Sequence, residues 1–425
     1  MAPADSNAQS DIVVVGGGMV GIAAAIALQQ RGYRVLIVDP GDQQQRASYG
    51  NAGVISPASI LPMAGPGIWP NLWQYASNRA DALRLRYRDS LSLLGWGRRF
   101  LSASNESTRV QTAAQLQPLV SRAIKSHQAL AQDLGTQAYL KNTGWLRLYP
   151  SADSYESSLS ERQLFDQYKI NYQVVNTSDI NALEPFLTKS FPYGIFFPDA
   201  LSIEQPGQLV HQAWKHFLQH GGKHVAGRVL DVQQVDNHVH IVTQTKQHFT
   251  ASHAVIAAGV HSSTLVKRMG YRMPMVAERG YHIHCHLPPG VMLNRPVNDI
   301  GGAYVMAPNG KHMRLLTGVE LAKPDSPPNL VQIKRVLHTA ATTLPIEHTS
   351  RPSNASVWMG SRPSTPDGLP VIGRASRHPR VVFAFGHGHI GLSTGPVTGT
   401  LVADLIDQQP TLFSLDAFRA DRFQN

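Results

Sequence analysis

The stretch that most constrains this chain lies near its start, where Asp11-Ile12-Val13-Val14-Val15 runs directly into Gly16-Gly17-Gly18-Met19-Val20-Gly21. A continuous β-branched run is the pattern of a strand buried on both faces. An apolar helix from about Val20 to Gln30 follows, and Arg31-Gly32 puts a glycine just past its end. A second apolar run, Val35-Leu36-Ile37-Val38, ends on Asp39. Together these predict a βαβ unit that holds a dinucleotide. Gly16 allows the tight turn, Gly18 lets a pyrophosphate approach the backbone beside Met19 and Val20, and Gly21 lets helix pack on strand. The phosphates belong at the helix N-terminus, where free N–H groups and the helix dipole favour negative charge. Asp39 is placed to accept from a ribose 2′-OH, and an acid there argues against a 2′-phosphate and so against NADP. A glycine motif alone is weak; the strand, helix, second strand and terminal acid around it supply the context it requires.

Three later segments bear on which dinucleotide is held. Ser48-Tyr49-Gly50-Asn51-Ala52-Gly53-Val54 is a small, polar loop able to wrap phosphate, ribitol or flavin. Ala254-Val255-Ile256-Ala257-Ala258-Gly259 reads as a buried strand with a small end. Val381 to Phe385 reads as another strand, running into Gly386-His387-Gly388-His389-Ile390-Gly391-Leu392 and then a helix through Val402, Leu405 and Ile406. That turn repeats the opening geometry at the far end of the chain. A second helix N-terminus could stabilise the negative charge of a reduced flavin, for which a nicotinamide dehydrogenase has no need.

The ordered set GGGMVG, SYGNAG, LEP, PDALSIEQPGQLV, WMGSRPSTPDGLPVIG and GHGHIG, spread from Gly16 to Gly391, resembles the D-amino acid oxidase superfamily, and most nearly its bacterial D-amino acid dehydrogenase branch. The resemblance implies FAD held by Gly16, Gly18, Gly21, Asp39, Ser48, Asn51, Ala52, Gly53, Ala258, Gly259 and the turn from Gly386 to Leu392. It also implies a helix over Gly207 to His220 and a strand over Val225 to Val232, whose backbone near Val229 contacts adenine. Some relatives attach the flavin covalently through an early histidine or a late cysteine. Asn51 stands at the early position here and Cys285 is far from the late one, so the resemblance implies non-covalent FAD.

Arg362, in Gly360-Ser361-Arg362-Pro363, is the first candidate for the substrate site. A guanidinium fork matches the two oxygens of an α-carboxylate, and the arginine of this motif plays that part in glycine oxidase-like relatives. The bland alternative is a surface-loop arginine. Tyr281 and Tyr304 fall where a substrate-side sheet would face the flavin, against the alternative of packed strand tyrosines. His387 could contact flavin or substrate, or be idle between two necessary glycines. His282, His284 and His286 alternate along a strand without carboxylate or cysteine ligands at suitable spacing, so no metal is expected. The implied chemistry is oxidation of a D-amino acid: hydride passes from the α-carbon to flavin N5, and the imino acid hydrolyses to a 2-oxo acid and ammonia. A quinone or another non-oxygen acceptor takes the electrons. The rivals are a glycine or sarcosine oxidase-like enzyme using oxygen, a D-proline or D-hydroxyproline dehydrogenase, and a non-catalytic flavin-binding assembly protein.

Charge and apolar patterning address location. The formal charge of +10 has no basic run or recognition motif behind it, which argues against nucleic acid. Ile68-Trp69-Pro70-Asn71-Leu72-Trp73 is followed by Arg79, Arg84, Arg86 and Arg88, then by Trp96, Arg98, Arg99 and Phe100. Aromatics beside arginines over 68–100 suit an anionic membrane interface, as a quinone-linked enzyme would use; the alternative is an insertion packed on the body. Met1 to Ser10 lacks a secretory pattern and no apolar stretch is long enough to span a bilayer, giving a cytoplasmic expectation, peripheral on the inner membrane if 68–100 docks. The predicted fold is α/β (α+β overall): a Rossmann-like FAD-binding domain from 1–85, 200–270 and 355–425, interleaved with a mixed-sheet substrate domain from 86–199 and 271–354. Segment 86–140 forms a helical insertion within the substrate part.

Overall fold

The computed structural model describes residues 10–347, 352–353 and 356–424. The opening strand Ile12–Val15 is buried throughout and lies parallel between Val35–Asp39 on one side and His253–Ile256 on the other. Lys223–Ala226 extends the sheet beyond Val35–Asp39, and His378–Phe385 followed by Val371–Ala375 completes the other edge, to give six strands. All pairings are parallel except the last. Helix Met19–Gln30 covers one face, packed by the C-terminal helix Gly391–Ile406 and by Pro206–Gln219. Continuous burial on both faces is why the strands read as apolar runs without alternation.

The adenine-side strand expected over Val225 to Val232 is two strands. Lys223–Ala226 belongs to the six-stranded sheet, and Val229–Val235 opens a separate three-stranded antiparallel sheet. Gly227 and Arg228 make the break between them.

A ten-stranded mixed sheet forms the substrate side, centred on the long strand Val276–His286. Two of its strands come from segments expected in the FAD domain. Leu83–Leu85 pairs with Val319–Ala322, and Val357–Ser364 pairs along eight residues of Val276–His286. The chain therefore crosses from substrate sheet to FAD sheet within the run between Ser364 and Val371. The expected helical insertion is present as Ser90–Ala103, Glu106–Val120 and Ala123–Leu134. Its last two helices lie on the FAD side: Leu116, Leu119 and Val120 pack with Val397 and Leu401, and Leu130 joins the core around the opening helix.

Candidate active site

One cavity of about 630 Å³ runs along the junction of the two sheets, within the range of ligand clefts. At its phosphate end the chain turns at Gly16, whose φ of +100° favours glycine, and enters the opening helix at Gly18. A Cβ on Gly21 would stand 2.0 Å from the Gly16 carbonyl oxygen, while one on Gly18 would meet nothing closer than Ser48 Oγ at 3.8 Å. The first glycine therefore closes the turn and packs helix on strand, and the second leaves the helix terminus bare to the cavity. Ser48 Oγ accepts from the Met19 amide (3.1 Å), tying the early loop to that terminus.

Asp39 lines this end with its carboxylate engaged by three donors. Oδ2 takes the Gly17 amide (2.7 Å), and Oδ1 takes the Gly41 amide (2.9 Å) and the Arg46 guanidinium (2.7 Å). Arg46 escaped sequence reasoning. Its guanidinium lies 4.6 Å over the Trp214 ring, and its Nε and Nη1 are buried without partners on the cavity wall. A cation at this end and bare helix N–H groups suit the anionic, hydroxylated half of a dinucleotide. Val20, Val229, Ala258 and Gly259 line the same stretch.

Toward the middle, Asn51, Ala52 and Val54 line the cavity. The loop is held from behind by Arg314, which donates to the Asn51 carbonyl oxygen (2.9 Å); burial pushes this arginine down to about 10. Gly53 does not face the lumen: its φ is +77° and a Cβ would stand 2.0 Å from the Ile203 carbonyl oxygen. Gly386 likewise belongs to the turn's scaffold, whereas Gly388, Gly391 and Leu392 reach the cavity as the closing helix begins. The lumen thus passes two helix starts and a loop of small residues, a cradle that fits FAD.

The four candidate catalytic residues part company. Arg362 lines the cavity with its guanidinium stacked over the Gly280 backbone, where a Cβ would be 2.5 Å from Nη2. No described residue accepts a hydrogen bond from it. Tyr281 faces away, in a buried cluster where its hydroxyl donates to Glu320 and accepts from Arg279 (2.7 Å) and the Asn329 amide (3.1 Å). Burial and Glu320 push that phenol up to about 12. Tyr304 is also outside the cavity, bonded to Asp299 (3.0 Å) and Thr343 (2.7 Å). His387 turns its ring inward to Thr398 Oγ1 (3.0 Å). Both residues line the cavity, but the exposed imidazole is that of His389, two residues on. Depth in the protein, with Arg362 and Arg147 nearby, holds it near 4 and therefore neutral. Arg147, another residue sequence reasoning missed, joins this end with its guanidinium 4.4 Å over Trp145 and a bond to Glu161 (3.1 Å).

The three strand histidines pack against neighbouring rings. His282 stacks on Trp358 (4.8 Å) and hydrogen-bonds the Gly50 carbonyl oxygen (3.2 Å). No group of metal-binding side chains occurs among the described residues.

The family described as FAD dependent oxidoreductase, DAO, matches residues 11–405. A D-amino-acid oxidase of Bradyrhizobium diazoefficiens is 31% identical over 97% of this chain and 98% of its own length. A D-amino acid dehydrogenase of Helicobacter pylori is 24% identical over 93% and 95%. Among solved structures, glycine oxidase from Geobacillus kaustophilus superposes with a TM-score of 0.78 at 21% identity, over 97% of this chain and 99% of that one.

Proposed function

The chain belongs to the DAO family of FAD-dependent oxidoreductases, and from that membership we propose that it oxidises D-amino acids and passes the electrons to a quinone. The observation that carries the reading is Arg362: a guanidinium in the cavity that makes no hydrogen bond to any described residue, on the substrate-sheet strand Val357–Ser364, whose last residue bridges to His387 of the flavin-side turn. An α-carboxylate supplies two oxygens to that fork. The D configuration is supported by the names of the relatives, which span nearly the whole chain.

Gly16, Gly18, Ser48, Asp39 and Ala258 would hold the pyrophosphate and ribose, and Asn51, Ala52 and Gly388 to Leu392 the ring system. When bound, FAD supplies the two-electron acceptor for an amine carbon. The protein's own part is to fix that carbon. Arg362 anchors the carboxylate, and Leu61, Ala58 and Trp145 present apolar surface for the side chain. Arg362 is half-buried on the cavity wall, where solvent screens the ion pair less than at the open surface. Anaerobic mixing of the purified holoenzyme with D- and L-amino acids tests the reading: D-amino acids bleach the flavin absorbance, and a quinone-like dye restores it faster than oxygen does. Bleaching by no amino acid leaves the non-catalytic reading in its place, and rapid reoxidation by oxygen alone makes the protein an oxidase.

The acceptor proposal draws on the surface of 63–94. Trp69 (52%), Trp73 (74%), Leu91 (82%) and Leu94 (64%) are exposed there, more apolar surface than isolated side chains explain. Arginines of the same segment supply the charge that anionic headgroups attract. Trp96 departs from the expectation: it is buried, stacked on Phe100 (4.7 Å) and bonded to the Ser364 carbonyl oxygen (3.0 Å). No helix among the described residues is long and apolar enough to cross a membrane, so contact would be peripheral. Flotation with phosphatidylglycerol vesicles should carry the protein upward, and W73E/L91E should leave it at the bottom.

A further inference from the structure

Behind the turn that opens the closing helix lies a second chamber of about 30 Å³. Roughly 10–15 Å³ of such volume accommodates one water, so about two fit. Its wall carries Glu278 and Ser364, from the two central antiparallel strands, together with His389 and Thr365. Two polar atoms on this wall, Glu278 Oε2 and Ser364 Oγ, are buried without a hydrogen-bond partner. An orphaned buried carboxylate oxygen is costly and rare enough to call for a reason.

The two chambers are neighbours. Ser59, Leu61, His387, Gly388, His389 and Ile390 line both. Of the two imidazoles in the turn, that of His387 is tied to Thr398, which leaves His389 to link the chambers. Glu278 stands directly across the strand pair from Arg362. A free imidazole, an unpartnered carboxylate and a water-sized space thus line up from the substrate cavity inward.

We propose that His389 and Glu278 form a proton relay: His389 takes a proton from the ammonium group of the bound amino acid and passes it through water in the second chamber to Glu278. The inference rests on the reading that the chain oxidises amino acids. The N–H bond breaks and a proton moves from nitrogen to imidazole, then from imidazolium to carboxylate, leaving a neutral amine, a neutral imidazole and a protonated Glu278. The α-hydrogen then leaves with its electron pair, the carbon–nitrogen bond is oxidised to an iminium, and the family's FAD is the species reduced. His389 touches substrate and is a catalytic residue; Glu278 acts through it and is a positioning residue.

The surroundings of the pair favour the second step, from imidazolium to carboxylate. Burial, and then the charges of Arg362 and Arg147, depress the basicity of His389. A substrate carboxylate on Arg362 offsets that charge, so the imidazole gains basicity when substrate is in place. Burial raises Glu278, opposed by the nearby Ser364 hydroxyl and by Arg362. A carboxyl so raised is a better proton acceptor than an exposed one.

Stopped-flow anaerobic flavin reduction by a D-amino acid, followed across pH, tests the relay. A positioned acid–base group contributes on the order of a hundredfold or more. His389→Asn should slow reduction at saturating substrate about a hundredfold at neutral pH, with the rate recovering at alkaline pH as free amine becomes abundant. The smaller effect belongs to Glu278→Gln, about tenfold, with partial rescue in Glu278→Asp. Substrate dissociation constants and bound FAD should change little in both. Wild-type rates and pH profile in both variants, or parallel loss at every pH, overturn the relay while leaving amino-acid oxidation standing. A wild-type flavin that no amino acid bleaches overturns both. Glu278→Gln is isosteric and decides the matter alone if His389→Asn fails to fold.

Discussion

The first and last long helices bring their N-termini to the same cavity by different means. A Cβ on Gly395 would stand 2.8 Å from the Met19 side chain, and one on Gly399 would be 2.6 Å from the Ala23 backbone. The contacts advance together along both chains, so the helices run parallel and both dipoles point their positive ends into the lumen. The opening helix starts bare: its turn is all glycine and its site is made of backbone. The closing helix starts behind two histidines, of which one faces inward and one faces the cavity. Glycine spacing encodes the first arrangement completely. It says nothing about which imidazole points where in the second.

The largest expected effect comes from closing the bare start. In Gly21→Val the branched side chain must displace the Gly16 carbonyl, which sits 2.0 Å from where its Cβ would be. Overpacking against backbone exceeds the usual 1–3 kcal/mol for side-chain crowding, and about 4 kcal/mol is a reasonable floor. The variant should purify without flavin absorbance and melt far below wild type; a yellow, stable variant would show that the helix can move off the strand.

Next in size is Arg362→Met, which removes the free cation beside the closing turn while keeping the stem's volume. A hydrogen bond to a charged group contributes about 1.5–3 kcal/mol, so the second-order rate of flavin reduction should fall by roughly 10- to 150-fold, with FAD retained. Arg362→Lys should recover only part, because an ammonium cannot make the forked contact. Undiminished reduction in the methionine variant would move the carboxylate to Arg147.

What could be read from the sequence follows the same division. The strands Ile12–Val15, Val35–Asp39 and His253–Ile256, and the two helices that meet the cavity, have bounds close to those their apolar runs predict. Backbone contacts set by small residues were legible too, down to the cavity-facing Asn51 and Ala52. Tyr281 and Tyr304 were not, because alternation along a strand says that a residue faces one side or the other, never which sheet face borders the cavity. Arg46, Arg147, Arg314 and Glu278 were invisible for another reason. Each gains its meaning from a partner or a vacancy of partners far along the chain, such as Trp214, Glu161, the Asn51 carbonyl or the Ser364 hydroxyl. Leu83–Leu85 and Val357–Ser364 changed sheets for the same cause: their pairing, not their composition, assigns them.

A smaller effect separates the two histidines of the closing turn. His387→Val breaks the buried bond to Thr398 Oγ1 and should cost about 1–2 kcal/mol of stability, since one side of a buried pair is left unsatisfied. His389→Val touches no such bond and should leave stability within about 0.5 kcal/mol of wild type. Urea denaturation of the two holoenzymes checks the contrast; equal losses would mean that the turn depends on both rings.

The smallest effect sharpens the comparison through pH. His127 reaches the closing helix from the side, with Nε2 2.9 Å from the carbonyl oxygen of Leu392 in its first turn. Burial pushes this imidazole from 6.5 down to about 4, and a charge there would also face the positive end of the helix dipole. The folded state therefore binds fewer protons than the unfolded state between those values. Its contribution is complete above pH 6.5 and is lost as pH falls from 6.5 toward 4. His282 and His387, both held near 3, act with the same sign, so the acid limb of the stability curve sums several buried neutral rings. Replacing His127 by glutamine keeps a donor for Leu392 and removes one titrating ring. The fall in stability between neutrality and about pH 6 should shrink by roughly 1 kcal/mol, while the opening helix, which has no buried histidine at its start, gives no counterpart. An unchanged acid limb in His127→Gln would mean that the ring is already protonated in the folded state and that the closing helix tolerates a cation beside its first turn.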